Sequence, residues 1–342
     1  MLQATMVEPG KIEFNEVEIP DIKEDEVLIE MKRIGVCGSD IHVYYGEHPY
    51  TSYPVVQGHE VSGRIVKVGS KVKDFKKDDK VVVRPQVVCG ECYPCLHGDY
   101  NICDNLKVMG FQTGGLAKEY AAVEQSKVLK IPNEISYDKG ALVEPLAVAA
   151  HAVSKADMDL DGKNVIVLGA GTIGNLVGQV AKAKGANVLI TDLSDYRLEK
   201  AKNCGIDYTV NTKEKSLNKA ISEYYGADKA DLILECVGAE ATINQAINNA
   251  RKGSKIVVVG VFPKKANVDF GLVQDRELTL DGILMYKEKD YIEAIELISK
   301  DRICADEMIT DHFKFKEYKK AYEYIEEQGD KVMKVMINVD EV

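Results

Sequence analysis

The sequence predicts an α/β protein in two parts, a mainly β segment followed by a parallel sheet wrapped by helices. Three observations carry that prediction. The chain has 342 residues, and roughly 100–200 residues per domain favours two domains over one. Its first 150 residues fall into short β-type runs broken by Gly, Pro and charge. From about Asp161, strand-length apolar runs alternate with helix-length segments, the pattern of a parallel sheet covered on both faces.

The elements follow in order. Val27 to Lys32, Val61 to Val68 and Lys80 to Val83 are strand candidates, the middle one alternating as a half-buried strand does. Lys71 to Lys80 is a charge run with a single Phe75, expected as a solvated turn. Asn164 to Leu168 enters a glycine cluster, a helix is expected from Ile173 to Lys184, and Asn187 to Thr191 is the next strand. Asp231 to Glu235 and Lys255 to Val259 continue the series. The tail holds two amphipathic helix candidates, Asp290 to Lys300 and Lys316 to Gln328, then a closing strand from Val332 to Val339.

Composition removes whole classes of function. Subtracting 55 acidic from 44 basic residues gives a net charge of −11, which lacks the basic footprint of a nucleic-acid binder. With 45% hydrophobic residues a sizeable core is available. No apolar run reaches the roughly 18 residues of a membrane span. Met1 to Lys11 has no charged region leading into an apolar stretch. A soluble, cytoplasmic protein is expected, with neither nucleic acid nor membrane as partner.

Of eight cysteines, Cys89, Cys92, Cys95 and Cys103 crowd into fifteen residues, and in a reducing compartment such crowding points to metal rather than disulfides. The spacing C-x2-C-x2-C-x7-C suits a closed, structural tetrahedral Zn²⁺, although an iron–sulfur cluster also uses four cysteines. Cys204, Cys236 and Cys304 are expected to be small buried hydrophobes.

Gly169, Gly171 and Gly174 form a G-x-G-x-x-G fingerprint with a strand before it, a helix after it, and Asp192 at the end of the next strand, 23 residues past Gly169. That context marks a dinucleotide site. Its glycines allow a tight turn, close approach of the pyrophosphate and helix–sheet packing, while the helix N-terminus offers free N–H groups. Asp192 would accept from ribose hydroxyls and repel a 2′-phosphate, favouring NAD over NADP. Arg197 works in the opposite direction.

A second metal site assembles from Cys37, Ser39, His42, His59 and Glu60. One thiolate, one imidazole and one or two carboxylates leave an open position, as a catalytic zinc requires, and such a cation activates a bound alcohol. Glu144, an acid inside an otherwise apolar stretch, needs a partner and is a further candidate ligand. His48, His97, His151 and His312 have no such company and are expected to be ordinary residues. A nucleotide-binding protein without catalysis would be expected to have lost some of these ligands, and this chain keeps every one.

Taken together, Cys37 to His42, Gly58 to Glu60, the four-cysteine lobe and Gly169 to Gly174 resemble the zinc-dependent medium-chain dehydrogenase/reductase family, nearest its sorbitol (polyol) and threonine dehydrogenase branches. The resemblance implies a GroES-like, mainly β catalytic domain from residues 1–147 and 285–342. A Rossmann doubly wound parallel-sheet domain at 148–284 would bind NAD. It implies two zinc ions per subunit: a catalytic one on Cys37, His59 and Glu60, with Glu144 able to enter coordination, and a structural one on the four-cysteine lobe. Ser39 and His42 match a proton relay. Ile173, Asp192, Arg197, Val259, Gly260, Val261, Leu284 and Met285 match cofactor contacts, and a homotetramer is implied.

The expected reaction is reversible oxidation of a secondary alcohol on a polyol or sugar-derived substrate. L-threonine at its 3-hydroxyl, a hexonate at carbon 5 and butanediol are the alternatives. Two departures bear on the substrate: Val43 where sorbitol dehydrogenases tend to carry an aromatic residue, and Met285 where they tend to carry Arg. Lys287 and Arg84 are candidate cations for an acidic or phosphorylated substrate.

Overall fold

The computed structural model describes residues 1–341. The chain divides into two compact units: Met1–Glu144 with the segment from Ile309 on, and Pro145–Met308 between them. No helix among the described residues is long and apolar enough to cross a membrane.

The first unit is built on a seven-stranded sheet. Its path runs Ile309–Lys314, Lys334–Asn338, Glu26–Gly35, Glu60–Val68, Lys80–Val83 and Val128–Lys130, and Tyr120–Glu124 also pairs with Glu26–Gly35. The ten-residue strand Glu26–Gly35 serves two neighbours on one side. Glu26 to Glu30 face Glu124 to Tyr120, and Arg33 to Gly35 face Asn338 to Met336. Alternation sends Val27, Ile29 and Met31 into the core, and the register shift between Met31 and Arg33 turns Ile34 inward as well. The helix Tyr318–Gln328 closes this core with Tyr318 and Tyr322, both fully buried.

The cysteine lobe has almost no core of its own. It hangs on two-residue strands, Gln86–Val87 and Lys107–Val108, and its helical turn Tyr93–Leu96 buries no residue. Without apolar burial, a lobe of this kind is held by a metal or not at all.

The second unit is a six-stranded, all-parallel sheet in the order Tyr208–Asn211, Asn187–Asp192, Asn164–Leu168, Leu232–Glu235, Lys255–Val258, Thr279–Gly282. In chain order that is 3-2-1-4-5-6, the doubly wound arrangement whose direction reverses beside the first strand, where dinucleotides bind. Its central strands are buried along their length, as parallel strands covered on both faces must be.

The boundary expected at residue 285 falls instead at 308/309. The helix Glu288–Ser299 belongs with the nucleotide unit because Asp290 pairs with His151 and Glu293 with Lys184, while Glu307 further on holds Lys200. The strands Leu2–Glu8, Tyr208–Asn211 and Ile309–Lys314 carry too little buried apolar alternation for the sequence pattern to mark them. Cys204, Cys236 and Cys304 are all half-buried, with Cys204 Sγ 3.9 Å from the Cys304 carbonyl. Their expected full burial does not hold, because all three stand at element ends: Cys204 caps Asp195–Asn203, Cys236 follows the strand Leu232–Glu235, and Cys304 precedes Ala305–Met308.

Candidate active site

Cys37, His59 and Glu60 bring one thiol, one imidazole and one carboxylate within 4.8 Å of one another. Cys37 ends the turn before the helix Gly38–Tyr44, and Glu60 opens the strand Glu60–Val68 directly opposite Gly35. Gly35 is required there, since a Cβ would collide with Glu60 Oε2. His59 Nδ1 is buried, has no hydrogen-bond partner among the described residues, and faces Asp40 Oδ1 at 3.5 Å. The ring is thereby turned with its other nitrogen available as a ligand, the usual arrangement of a metal-bound histidine backed by a carboxylate.

Asp40 is itself fixed. Its Oδ2 accepts from the Cys37 backbone N–H at 3.0 Å and its Oδ1 from Gln57 Nε2 at 3.2 Å, while Tyr322 donates to Gln57 Oε1 at 2.9 Å. The chain's last segment contributes Lys334, whose ammonium meets Glu60 Oε1 and Oε2 at 2.8 and 2.6 Å and the Val36 carbonyl at 3.0 Å. Glu144 is buried in the first turn of Val143–Ser154 but stands outside the compact donor set, and its charge acts on Lys334.

The charge balance of this pocket calls for a cation. Burial works to lower the His59 pKa, yet Asp40 and Cys37 override it and hold the imidazole well above its ordinary value. Burial likewise opposes the Lys334 charge, and Glu60 with Cys37 keeps it. Buried acidic groups that raise the proton affinity of the bases beside them this strongly are a fitting host for Zn²⁺.

The four-cysteine lobe fits zinc by geometry. Its sulfurs lie 3.5 Å (Cys89–Cys103), 3.8 Å (Cys92–Cys103) and 4.0 Å (Cys89–Cys95) apart. A tetrahedron with Zn–S of about 2.3 Å has edges of about 3.8 Å. Backbone N–H groups of Glu91 and Cys92 pull the Cys89 thiol down to about 6, while burial and the neighbouring Cys92 push Cys95 up to about 12. The four cannot all ionise until a cation joins them. Replacing Cys95 with serine is therefore expected to release one zinc per chain and unfold this lobe ahead of the rest. A zinc-release assay with a colorimetric chelator, run alongside limited proteolysis between residues 88 and 106, checks it.

Ser39 and His42 stand three residues apart on Gly38–Tyr44, so they share a face. Ser39 is half-buried and His42 exposed, the latter 3.3 Å from Glu47. Of the other singled-out residues, Val43 is fully buried in the core. Arg84 is committed to the lobe through Tyr100 and the Ser126 carbonyl, so it is no free cation for a substrate. Lys287 N-caps Glu288–Ser299. His48 stacks on Phe111, whose ring also touches His59 at 4.9 Å.

In the second unit, Gly169 has φ +97°, and a Cβ on Gly174 would strike the Gly169 carbonyl oxygen, so the turn and the helix meet only as glycines. The helix Thr172–Ala183 starts from Gly171, which has no side chain to occupy its first N–H groups, and Ile173 sits in its first turn. Asp192 Oδ2 accepts from Ala170 N–H at 2.7 Å, and Oδ1 from Leu193 and Ser194 N–H at 2.8 and 3.0 Å. The carboxylate thus ties the glycine turn to the end of the next strand. A Cβ on Gly171 would come within 4.0 Å of Arg197 Nη1, so this guanidinium lies beside the turn. At the carboxyl ends of later strands, Val259 and Gly260 N–H groups bind the Glu235 carbonyl, and Val261 and Leu284 are left 86% and 49% exposed. Met285 beside Leu284 has φ +52°.

Residues 23–133 match the alcohol dehydrogenase GroES-like domain, and residues 172–300 match the zinc-binding dehydrogenase family. The chain is 35% identical to sorbitol dehydrogenase of Halalkalibacterium halodurans over 97% of both proteins. Its structure is similar to galactitol-1-phosphate dehydrogenase from Escherichia coli, with a TM-score of 0.92, 30% identity and coverage of 99% and 100% of the two chains. It is equally similar to an Escherichia coli structure described as a short chain alcohol dehydrogenase with NADH (TM-score 0.92, 31% identity, 99% of each chain). The chain belongs to the zinc-dependent medium-chain dehydrogenase/reductase family, near its sorbitol dehydrogenase branch. It is an alcohol oxidoreductase with a GroES-like domain and a Rossmann domain.

Proposed function

We propose that this protein is an NAD-dependent zinc dehydrogenase that reversibly oxidises a secondary hydroxyl of a polyol or sugar-derived alcohol to the ketone. The observation that carries this is one chain holding an open Cys37–His59–Glu60 donor set and a glycine turn at the switch point of a parallel sheet. When bound, zinc supplies a Lewis acid that polarises the alcohol, and NAD supplies the hydride acceptor.

The chain's own residues prepare that chemistry. Asp40 orients His59, and Lys334 holds Glu60 at the ligand position. Ser39 can both accept and donate a proton, and the exposed His42 passes it to solvent. Gly169, Gly171 and Gly174 with the helix start at Thr172 take the pyrophosphate, and Asp192 takes the ribose. Glu144 acts on the metal site from outside the compact set. We assign the enzyme to the cytoplasm and to a homotetramer, the latter checked by sedimentation equilibrium.

The direct test is NADH formation at 340 nm with zinc-loaded enzyme across sorbitol, xylitol, a polyol phosphate, an aldonate, L-threonine and 2,3-butanediol. Turnover of the polyols or the polyol phosphate above the rest is expected. Preference for L-threonine, the aldonate or butanediol would replace the substrate class and keep the chemistry.

Cofactor choice has its own test. Replacing Asp192 with alanine is expected to lower kcat/KM with NAD by about 10–100-fold, the range of about 1.5–3 kcal/mol for charge-assisted hydrogen bonds. The NADP/NAD ratio should rise at the same time, because Arg197 remains beside the turn. An unchanged ratio would remove Asp192 from the ribose site.

A further inference from the structure

The second unit holds a buried histidine–carboxylate pair that neither the metal nor the glycine turn uses. His151 Nδ1 lies 2.8 Å from Asp290 Oδ2, and the two residues are 3% and 1% exposed. His151 belongs to the helix Val143–Ser154, and Asp290 to the first turn of Glu288–Ser299. The same Asp290 oxygen accepts the Lys287 backbone N–H at 2.7 Å. His151 Nε2, on the far side of the ring, is buried without a hydrogen-bond partner among the described residues.

This arrangement exceeds what helix capping needs. An exposed aspartate at the third helical position would accept the Lys287 N–H without losing its hydration. Burying the carboxylate against an imidazole, and leaving that ring's other nitrogen unsatisfied, costs stability. What the pair provides is a fixed relation between two helices and the loop that Asp290 ties down. That loop joins the strand Thr279–Gly282 to the helix and contains Leu284 and Met285. Met285 lies in the left-handed region, which a non-glycine residue occupies only when its surroundings over-determine it. On one side Ile283 N–H binds the Val258 carbonyl, and on the other the Tyr286 ring is fully buried against Tyr291 before Lys287 meets Asp290.

We infer that His151 and Asp290 are positioning residues: through the Lys287 N–H they hold the 284–287 loop so that Leu284 and Met285 face the nicotinamide end of the cofactor. This rests on the reading above that Leu284 and Met285 contact NAD.

The test compares two probes on the zinc-loaded full chain, NADH and ADP-ribose, the second lacking the nicotinamide. Both dissociation constants are measured by calorimetry, with the melting temperature recorded alongside. Asp290→Ala and His151→Ala are each expected to weaken NADH at least fivefold and ADP-ribose less than twofold. His151→Asn, whose amide N–H reaches the place of Nδ1–H and which lacks the orphaned nitrogen, is expected to keep NADH within twofold of the parent. Should Asp290→Ala not fold, the contrast between the two His151 variants decides alone. A merely structural pair would lower both affinities together with the melting temperature, and that result overturns the proposal. Leu284→Ala separates the two layers. An unchanged NADH to ADP-ribose ratio there removes the loop from the nicotinamide site and the proposal with it. A changed ratio there, with an unchanged one in Asp290→Ala, overturns the positioning role alone.

Discussion

Replacing Lys334 with methionine is expected to destabilise the first unit by about 3–5 kcal/mol, the cost of breaking a buried ion pair by removing one partner. Lys334 and Glu60 side chains are 4% and 1% exposed, and among the described residues the ammonium is the one cation that meets both carboxylate oxygens. Without it, and with no zinc on the site, Glu60 is left with a buried carboxylate stripped of its ammonium partner. Urea unfolding of the metal-free protein would read the loss, and a midpoint equal to the parent's would sink it. Adding Glu60→Gln to Lys334→Met is expected to recover most of the stability but not the activity, because the stranded charge is gone and so is the ligand.

The pH dependence of that pair has a definite sign. Although burial opposes the charged form, Glu60 and Cys37 raise the Lys334 pKa above its ordinary value. A group whose native pKa is raised contributes fully below its unfolded pKa, about 10.4 for lysine. The contribution is lost only as pH climbs through the higher native value. The gap between parent and Lys334→Met should therefore stay flat from pH 6 to about pH 10 and narrow above it.

The second large effect concerns turnover. Cys37→Ala or His59→Ala is expected to cost about a thousandfold or more in kcat, since the Lewis acid we propose they hold would take several kcal/mol off the barrier. NADH affinity should stay within twofold, because the glycine turn and Asp192 belong to the other unit. Stopped-flow turnover, NADH fluorescence titration and zinc content separate these outcomes. Full activity in protein stripped of the catalytic zinc would remove the metal from the reaction.

Features that are local in sequence were legible there. The cysteine lobe shows itself because its four ligands fall within one short loop whose spacing the metal dictates. The glycine turn shows itself because strand, turn, helix and Asp192 follow one another along the chain. Lys334 did not, since its partner is 274 residues away; the available signal was a lysine set inside the apolar run from Val332 to Val339. Asp40 lay inside a recognised motif, but its role depends on the His59 ring it faces. Gln57 and Tyr322 join that network only through tertiary contact. His151 looked ordinary for the same reason, its partner Asp290 being 139 residues on. The hairpin Leu2–Glu8 with Lys11–Glu16 escaped notice because each strand is half-exposed: Ala4 and Met6 are buried, while Leu2, Ile12 and Phe14 pack on the core only in part.

The order in which a ribosome makes this chain sets the order in which the enzyme can be finished. Glu60 emerges early, but the lysine that neutralises it is the 274th residue after it, about 14–55 s later at 5–20 residues per second. Throughout that interval the whole nucleotide-binding unit is being translated, and the sheet of the first unit lacks the strand Lys334–Asn338 beside Glu26–Gly35. A carboxylate cannot be sealed from water while its counter-charge is unmade. The metal pocket therefore cannot reach its final form before that strand is made, whereas every residue of the nucleotide-binding unit already exists by then. Metal shortage is therefore expected to leave a chain whose first unit is unfinished while its nucleotide unit is complete.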